Sequence, residues 1–239
     1  MTDKGLRSVV SMLRRTPPFL VMQMALRHVP FRPVDVGKMC FLRLDKLPNV
    51  PAGMLRGAAD VRAATPADLH ELVRLQAKEE TFRDRFTKGD HCVVARVDGH
   101  IVGYEWFCES DAHCEALWGL SISIPGDFVY AYDAYIDPAY RNSGIWLRFK
   151  AYLANRMRES GKRGVLTFVD YGNWPSLRTH LRFGFEPAET VLALNVLGMK
   201  IFRTVKTLRT TAYVLVYSAM THHALALRLA HAVATVKVR

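Results

Sequence analysis

Apolar positions change their period along this chain, and each change marks an element. Ile145, Phe149, Tyr152, Leu153 and Met157 recur at offsets 0, 4, 7, 8 and 12, which lines one face of a helix, while Arg148, Lys150, Arg156, Arg158 and Glu159 fall off that stripe. Gly161 is placed to end this helix. Ahead of it, Phe128 to Ile136 reads as an apolar, aromatic strand; behind it, Val165-Leu-Thr-Phe-Val169 reads as a short buried one. Cys92-Val-Val-Ala-Arg-Val97 and His100-Ile-Val-Gly-Tyr-Glu-Trp-Phe107 flank Asp98-Gly99, a two-residue hairpin signal. Val61 to Thr65 predicts an earlier strand. Thr65, Pro66 and Asp68 then open a helix through Leu69, Leu72, Val73 and Gln76, and Glu79 to Phe86 predicts a second, short one. After Val169, Asn173 offers an N-cap and Pro175 suits the first turn of a helix that closes at Phe183-Gly184-Phe185. Val191 to Val196 and Met199 to Val205 supply two late strands. Periodicity alone says mixed α/β.

The corner between Ile136 and Ile145 carries the chemistry. Asp137-Pro-Ala-Tyr-Arg-Asn-Ser-Gly144 takes a strand through a proline turn into a polar, glycine-bearing loop that opens a helix. Backbone N–H groups at a helix start lack intrahelical partners and sit at the positive end of its dipole, so a diphosphate collects several hydrogen bonds there. Arg141 adds a fixed charge.

Ile136-Asp-Pro-Ala-Tyr-Arg141-Asn-Ser-Gly144-Ile-Trp146, followed some thirty residues on by Asn173-Trp-Pro-Ser176-Leu-Arg-Thr-His180-Leu-Arg-Phe-Gly184-Phe185, resembles the GNAT superfamily of acyl-coenzyme A-dependent N-acetyltransferases over roughly residues 57 to 206. The resemblance implies an α/β (α+β) fold: a central mixed sheet, mostly antiparallel, splayed between the family's strands 4 and 5, with helices on both faces. It implies N-acyl transfer of an acetyl or other short acyl group from acyl-CoA to a primary amine by direct attack in a ternary complex, with no metal. It also implies that backbone groups of Ala134, Tyr135 and Ile136 hold the pantetheine arm and polarise the carbonyl. Loop amides of Arg141, Asn142, Ser143, Gly144, Ile145 and Trp146 would hold the diphosphate, and Asn173 and Ser176 would touch the pantetheine arm.

Two positions depart from the family pattern. Trp146 stands where relatives carry a small residue; its indole either stacks beside the cofactor or narrows the slot in favour of another donor. His180 aligns with the tyrosine many relatives use to protonate the departing thiolate, and an imidazole that titrates near neutral pH suits that task. For the base, Asp133 lies on the strand bordering the cleft and Glu105 on its neighbour. Asp133 could equally make a strand-end ion pair while the amine loses its proton to water, and His180 and Trp146 could be packing residues. Tyr130, Tyr132 and Tyr135 are candidates for an acceptor pocket.

Charge divides the chain. Residues 1–56 carry 10 basic and 3 acidic side chains, 57–199 carry 16 and 19, and 200–239 carry 7 and 0, giving +7, −3 and +7, the net +11 of the whole. With the bounds that the resemblance implies, the chain divides into a basic N-terminal extension (1–56), an acyltransferase domain (57–206) and a basic, apolar C-terminal helical segment (207–239) with a packed or interfacial helix over Ala212 to Val233. Basic ends around a near-neutral body suggest an anionic partner, either an acidic carrier protein or a membrane surface, rather than nucleic acid, because the basic residues are not interleaved with aromatics in a known module. Arg14 and Arg15 interrupt the N-terminal apolar run, so it lacks signal-peptide form. Cys40, Cys92, Cys108 and Cys114 follow no metal-ligand spacing and read as free thiols of a reducing cytoplasm, the chain being cytoplasmic or peripheral to a membrane. A homodimer through the C-terminal run is an open assembly, the acceptor is a small-molecule or peptide amine, and two other functional readings stand. One is a catalytically weak acyl-CoA-binding regulatory module; the other is an enzyme using a longer acyl chain from an acyl carrier protein.

Overall fold

A computed structural model of the chain describes residues 17–30, 33–46, 59–115, 118–205, 210–211, 216–217 and 235–237. A helix, α1 (Pro18–Arg27), leads to a long strand, β1 (Val34–Leu44), and then to β2 (Asp60–Ala63). The Thr65 amide and hydroxyl donate to Asp68 Oδ2, and Asp68 also takes both arms of the Arg62 guanidinium at 2.9 and 2.6 Å; this box starts a 3-10 turn, Pro66–Asp68, that runs into α2 (Leu69–Leu75). Next come α3 (Glu79–Lys88), β3 (His91–Val97) and β4 (His100–Cys108), the last two joined by Asp98 and Gly99, both at positive φ as a two-residue hairpin requires. A second hairpin, β5 (Ala112–Glu115) and β6 (Leu120–Ser123), precedes β7 (Phe128–Ile136), α4 (Ile145–Ser160), β8 (Gly164–Asp170), α5 (Trp174–Phe183), β9 (Glu186–Val196) and β10 (Met199–Val205). Short pieces β11 (Thr210–Thr211), β12 (Val216–Tyr217) and β13 (Thr235–Lys237) end the described chain.

The main sheet runs β11-β10-β9-β1-β8-β7-β4-β3-β2, with β12 also on β10. All its pairs are antiparallel except β7 with β8. One face packs Met39, Phe41, Tyr104, Trp106, Tyr130 and Tyr132 against Leu72 and Phe82 of α2 and α3 and against the β5–β6 hairpin. The other packs Val93, Ala95, Val102, Val129 and Ala131 against Ile145, Phe149, Leu153 and Met157 of α4 and Leu177 of α5. This is the mixed, mostly antiparallel sheet with helices on both faces that the motifs implied.

Two assignments from sequence change. Residues 1–56 are not wholly an appendage, because β1 lies inside the sheet, antiparallel to β8 from Met39↔Asp170 to Leu44↔Val165 and to β9 from Val34↔Val196 to Arg43↔Glu186. Its backbone donors and acceptors are thus taken up on both sides, and Met39, Phe41 and Leu42 are fully buried. At the other end, β11 and β12 extend the sheet past residue 206, and the C-terminal helix expected over 212–233 lies outside the described residues except for Val216–Tyr217, which pair as strand with Lys200 and Met199. The β5–β6 hairpin was not foreseen. Among the described residues no helix is long and apolar enough to cross a membrane.

Candidate active site

The site begins where two parallel strands part. β7 pairs with β8 only from Phe128↔Gly164 to Tyr130↔Leu166; beyond this β8 follows β1 and β7 follows β4, so the edge of β7 through Ala134, Tyr135 and Ile136 has no strand against it on that side. A β-bulge sits on this stretch. Trp106 faces Tyr132 and Tyr104 faces Tyr135, leaving Glu105 alone opposite Asp133 and Ala134, and Asp133 takes a left-handed φ of 42°. The extra residue resets the side-chain alternation: Tyr135, which strict period two would send to the face opposite Tyr132, joins Tyr130, Tyr132 and Tyr104 on the α2–α3 side.

Asp133 is clamped from that side. Arg85 Nη1 lies 2.5 Å and Lys78 Nζ 3.2 Å from its oxygens, with the Tyr104 hydroxyl at 3.5 Å. The Arg85 guanidinium in turn stacks over Trp106 and Tyr132. The carboxylate is thus the strand-end ion pair of the two roles open to it from sequence, with its oxygens committed to three donors. Tyr132 donates to Asp90 at 2.5 Å, and burial together with this bond pushes its phenol far up. His113 of β5 packs on Tyr130 and Tyr132, and burial, with the charges of Arg85 and Lys88, pushes it down to about 4.

The corner after β7 is built to leave amides open. Asp137 Oδ1 accepts from the Ala139 N–H at 2.9 Å and caps a 3-10 turn, Pro138–Tyr140; the Arg141 side chain reaches back to the Ile136 carbonyl at 3.2 Å, and Ser143 Oγ donates to the Tyr140 carbonyl. Asn142 and Gly144 adopt φ of 66° and 82°. Turning the chain this way leaves the N–H groups of Asn142, Ser143, Gly144, Ile145, Trp146 and Leu147 without a partner among the described residues, the first internal bond being Arg148 N–H to the Gly144 carbonyl at 3.2 Å.

α5 crosses β8 on the same face as α4. Asn173 accepts from the Ser176 N–H at 3.3 Å and caps the helix, so its side chain already has work in the fold; Ser176 Oγ stands 3.5 Å from His180 Nδ1. His180 does not titrate near neutrality. Its Nδ1–H donates to the Ser176 carbonyl at 2.9 Å, it packs edge-on to Trp146 and Phe185, and burial, then the nearby Lys150 charge, push it down to about 4. The neutral ring has no imidazolium proton to give at neutral pH. Trp146 turns into the seam between α4 and α5, with ring centroids 5.0 Å from both His180 and Phe183, and does not fill the loop.

Ala134, Tyr135 and Ile136 thus lead along the edge that β8 leaves open to the unpartnered amides of residues 142–147, whereas the Arg141 N–H is taken by the Pro138 carbonyl at 3.4 Å; Asp133 faces the α2–α3 side of the sheet and His180 the α4–α5 side. Sequence reading missed the cations that hold Asp133. It also set Lys150 off the apolar stripe of the helix, whereas the side chain is 0% exposed and ion-paired with Glu105. Among the described residues no three His, Cys, Asp or Glu side chains group as metal ligands.

The sequence profile of the acetyltransferase (GNAT) family matches residues 59–185, more than half of the chain, from β2 to the end of α5. The chain belongs to this family. It is therefore an acyl-transfer enzyme by descent, and β1 lies outside the stretch the family defines. No curated protein matches the chain. Similar solved structures include a functionally unknown conserved protein from Staphylococcus epidermidis (11% identity, 75% of this chain and 67% of that one, TM-score 0.49). A putative GNAT acetyltransferase from Novosphingobium aromaticivorans aligns at 15% identity over 66% of this chain and 64% of that one, TM-score 0.48. The aminoglycoside N-acetyltransferase AAC(6')-Iy in complex with CoA aligns at 16% identity over 53% and 91%, TM-score 0.45.

Proposed function

We propose that this acyltransferase moves an acetyl or other short acyl group from a coenzyme A thioester to a primary amine by direct attack. The observation that carries the proposal is the parting of β7 from β8 immediately ahead of a corner with a run of unpartnered amides. Those amides, with Arg141, suit a diphosphate, and the open edge of Ala134 to Ile136 suits the amide groups of a pantetheine arm, which needs both donors and acceptors. Bound there, the thioester supplies an activated acyl carbon. The chain's own part is to hold that carbon and keep water from it.

The acceptor amine fits the opposite side of the sheet, where Tyr104, Tyr132 and Tyr135 surround the bulge. Asp133 is assigned a positioning role: by tying Lys78 and Arg85 to the bulge it fixes the backbone that would polarise the carbonyl. Ser176 Oγ, 3.5 Å from His180 Nδ1, has no base there, since that nitrogen carries the proton it donates to the Ser176 carbonyl; this is in keeping with a ternary complex.

Isothermal titration with acetyl-coenzyme A tests the slot. Wild-type protein should bind, and Gly144→Glu should lose at least about tenfold in affinity, since it puts a side chain at a left-handed position and a negative charge among the loop amides. Absence of binding to wild type removes this reading. Binding without thiol release across a panel of amines points instead to a module that kept the slot and lost turnover.

A further inference from the structure

The seam between α4 and α5 contains a charge with unfilled capacity. Lys150 faces the sheet from α4, fully buried, and its Nζ lies 2.5 Å from Glu105 Oε1. An ammonium has three N–H donors. Among the described residues Glu105 is the only acceptor Nζ reaches; its other neighbours are the faces of Trp146 and Phe185, at 4.9 and 6.0 Å. Glu105 Oε2 is likewise buried with no hydrogen-bond partner among the described residues. A buried ion pair is favourable only when its remaining lone pairs and protons are satisfied, so a half-satisfied pair points to a ligand group that completes it.

Its position says which group. Glu105 is the β4 residue left opposite the bulge of β7, so the pair lies beneath that bulge on the α4–α5 face, one strand in from the edge that β8 leaves open. Among the described residues the titratable groups facing Nζ are Glu105 from β4 and His180 from α5. His180, neutral and donating its Nδ1–H to its own helix, has no proton to offer there.

We propose that Lys150 donates the proton that turns the departing thiolate into a thiol, with Glu105 holding the ammonium in place. The inference rests on the acyl-transfer reading above. In the step, the amine lone pair forms the C–N bond, the C–S bond breaks with its electron pair going to sulfur, and an Nζ proton passes to that sulfur. The acylated nitrogen sheds its proton to solvent, and Nζ regains one from water that follows as the thiol leaves.

The decisive measurement uses coenzyme A itself, bound to the full chain, with its thiol titrated by thiolate ultraviolet absorbance. On wild type the bound thiol should ionise at least about one pH unit below the free thiol, because a desolvated ammonium favours the thiolate. Lys150→Met should abolish that shift. With any amine the wild type turns over, Lys150→Met should lower kcat about a hundredfold and leave the donor KM within about threefold. The deficit should vanish with an aryl thioester, whose thiolate leaves unprotonated. Since removing one member of a buried pair destabilises a fold, Glu105→Leu with Lys150→Met provides a second, apolar-paired variant with the same expected loss. An equal thiol titration in wild type and either folded variant, or a kcat within threefold of wild type, overturns the proposal while acyl transfer stands. Failure of wild type to bind coenzyme A overturns the acyl-transfer reading and this inference with it.

Discussion

Lys150 shows why a charge pattern misleads at the scale of one residue. At about 100° per residue it lies only about 20° around the helix axis from Met157, at the margin of the apolar stripe rather than opposite it. A lysine there is by default a solvated residue, and only a carboxylate from a distant strand, Glu105, makes its burial tolerable. Long-range pairs of this kind leave no local trace, whereas Gly144, Asn173 and Gly184 were legible because a left-handed φ or a helix cap is a local demand. His180 was placed correctly along the chain but not chemically, since its protonation depends on Trp146, Phe185 and Lys150 around it. Its depressed value has a measurable sign. His180 and His113 both titrate near 4 when folded against an ordinary value of 6.5, so the unfolded chain binds more protons between those limits. Stability should therefore be fully present above about pH 6.5 and fall as pH drops toward 4. Urea midpoints across that window check this, and His180→Phe should flatten the slope.

At the scale of elements, the strand-loop-helix-strand unit and the β3–β4 hairpin were readable because period and turn residues agree over short stretches. The bulge at Asp133 was not. An extra residue in one strand is defined only by its partner, here Glu105 of β4, and no signal in Tyr132-Asp-Ala-Tyr135 marks it. The β5–β6 hairpin, too short to display a period, instead shows its purpose in a contact: Trp118 at its turn lies over Gly37 of β1, where a Cβ would overlap the indole. Gly37→Val should displace Trp118 and cost about 1–3 kcal/mol, since overpacking forces side chains off their rotamers. A fall in thermal midpoint with a change in tryptophan fluorescence is the expected readout.

For the whole molecule, the charge division suggested a near-neutral catalytic body flanked by basic ends, but hydrogen bonding sets a different boundary. β1 alternates imperfectly, with Asp35, Lys38 and Arg43 among its apolar residues, so it has no clean strand signature; it is held as a strand by β8 and β9, more than a hundred residues away. A chain beginning at residue 47 should leave one edge of both β8 and β9 unpaired in mid-sheet and give no cooperative melt in circular dichroism, although it retains every family-matched residue from 59 to 185. A sharp, wild-type-like transition in that truncation would return β1 to the status of an appendage.

The place of β1 also orders events in time. Its partners are made late, so during synthesis this early strand leaves the ribosome with an apolar surface and no mate, and can be inserted only once residues 164–196 have emerged. Long-separation pairing of this sort is slow to close. The main sheet should therefore close only once residue 196 has emerged, and until then the waiting β1 is where a chaperone would meet the nascent polypeptide.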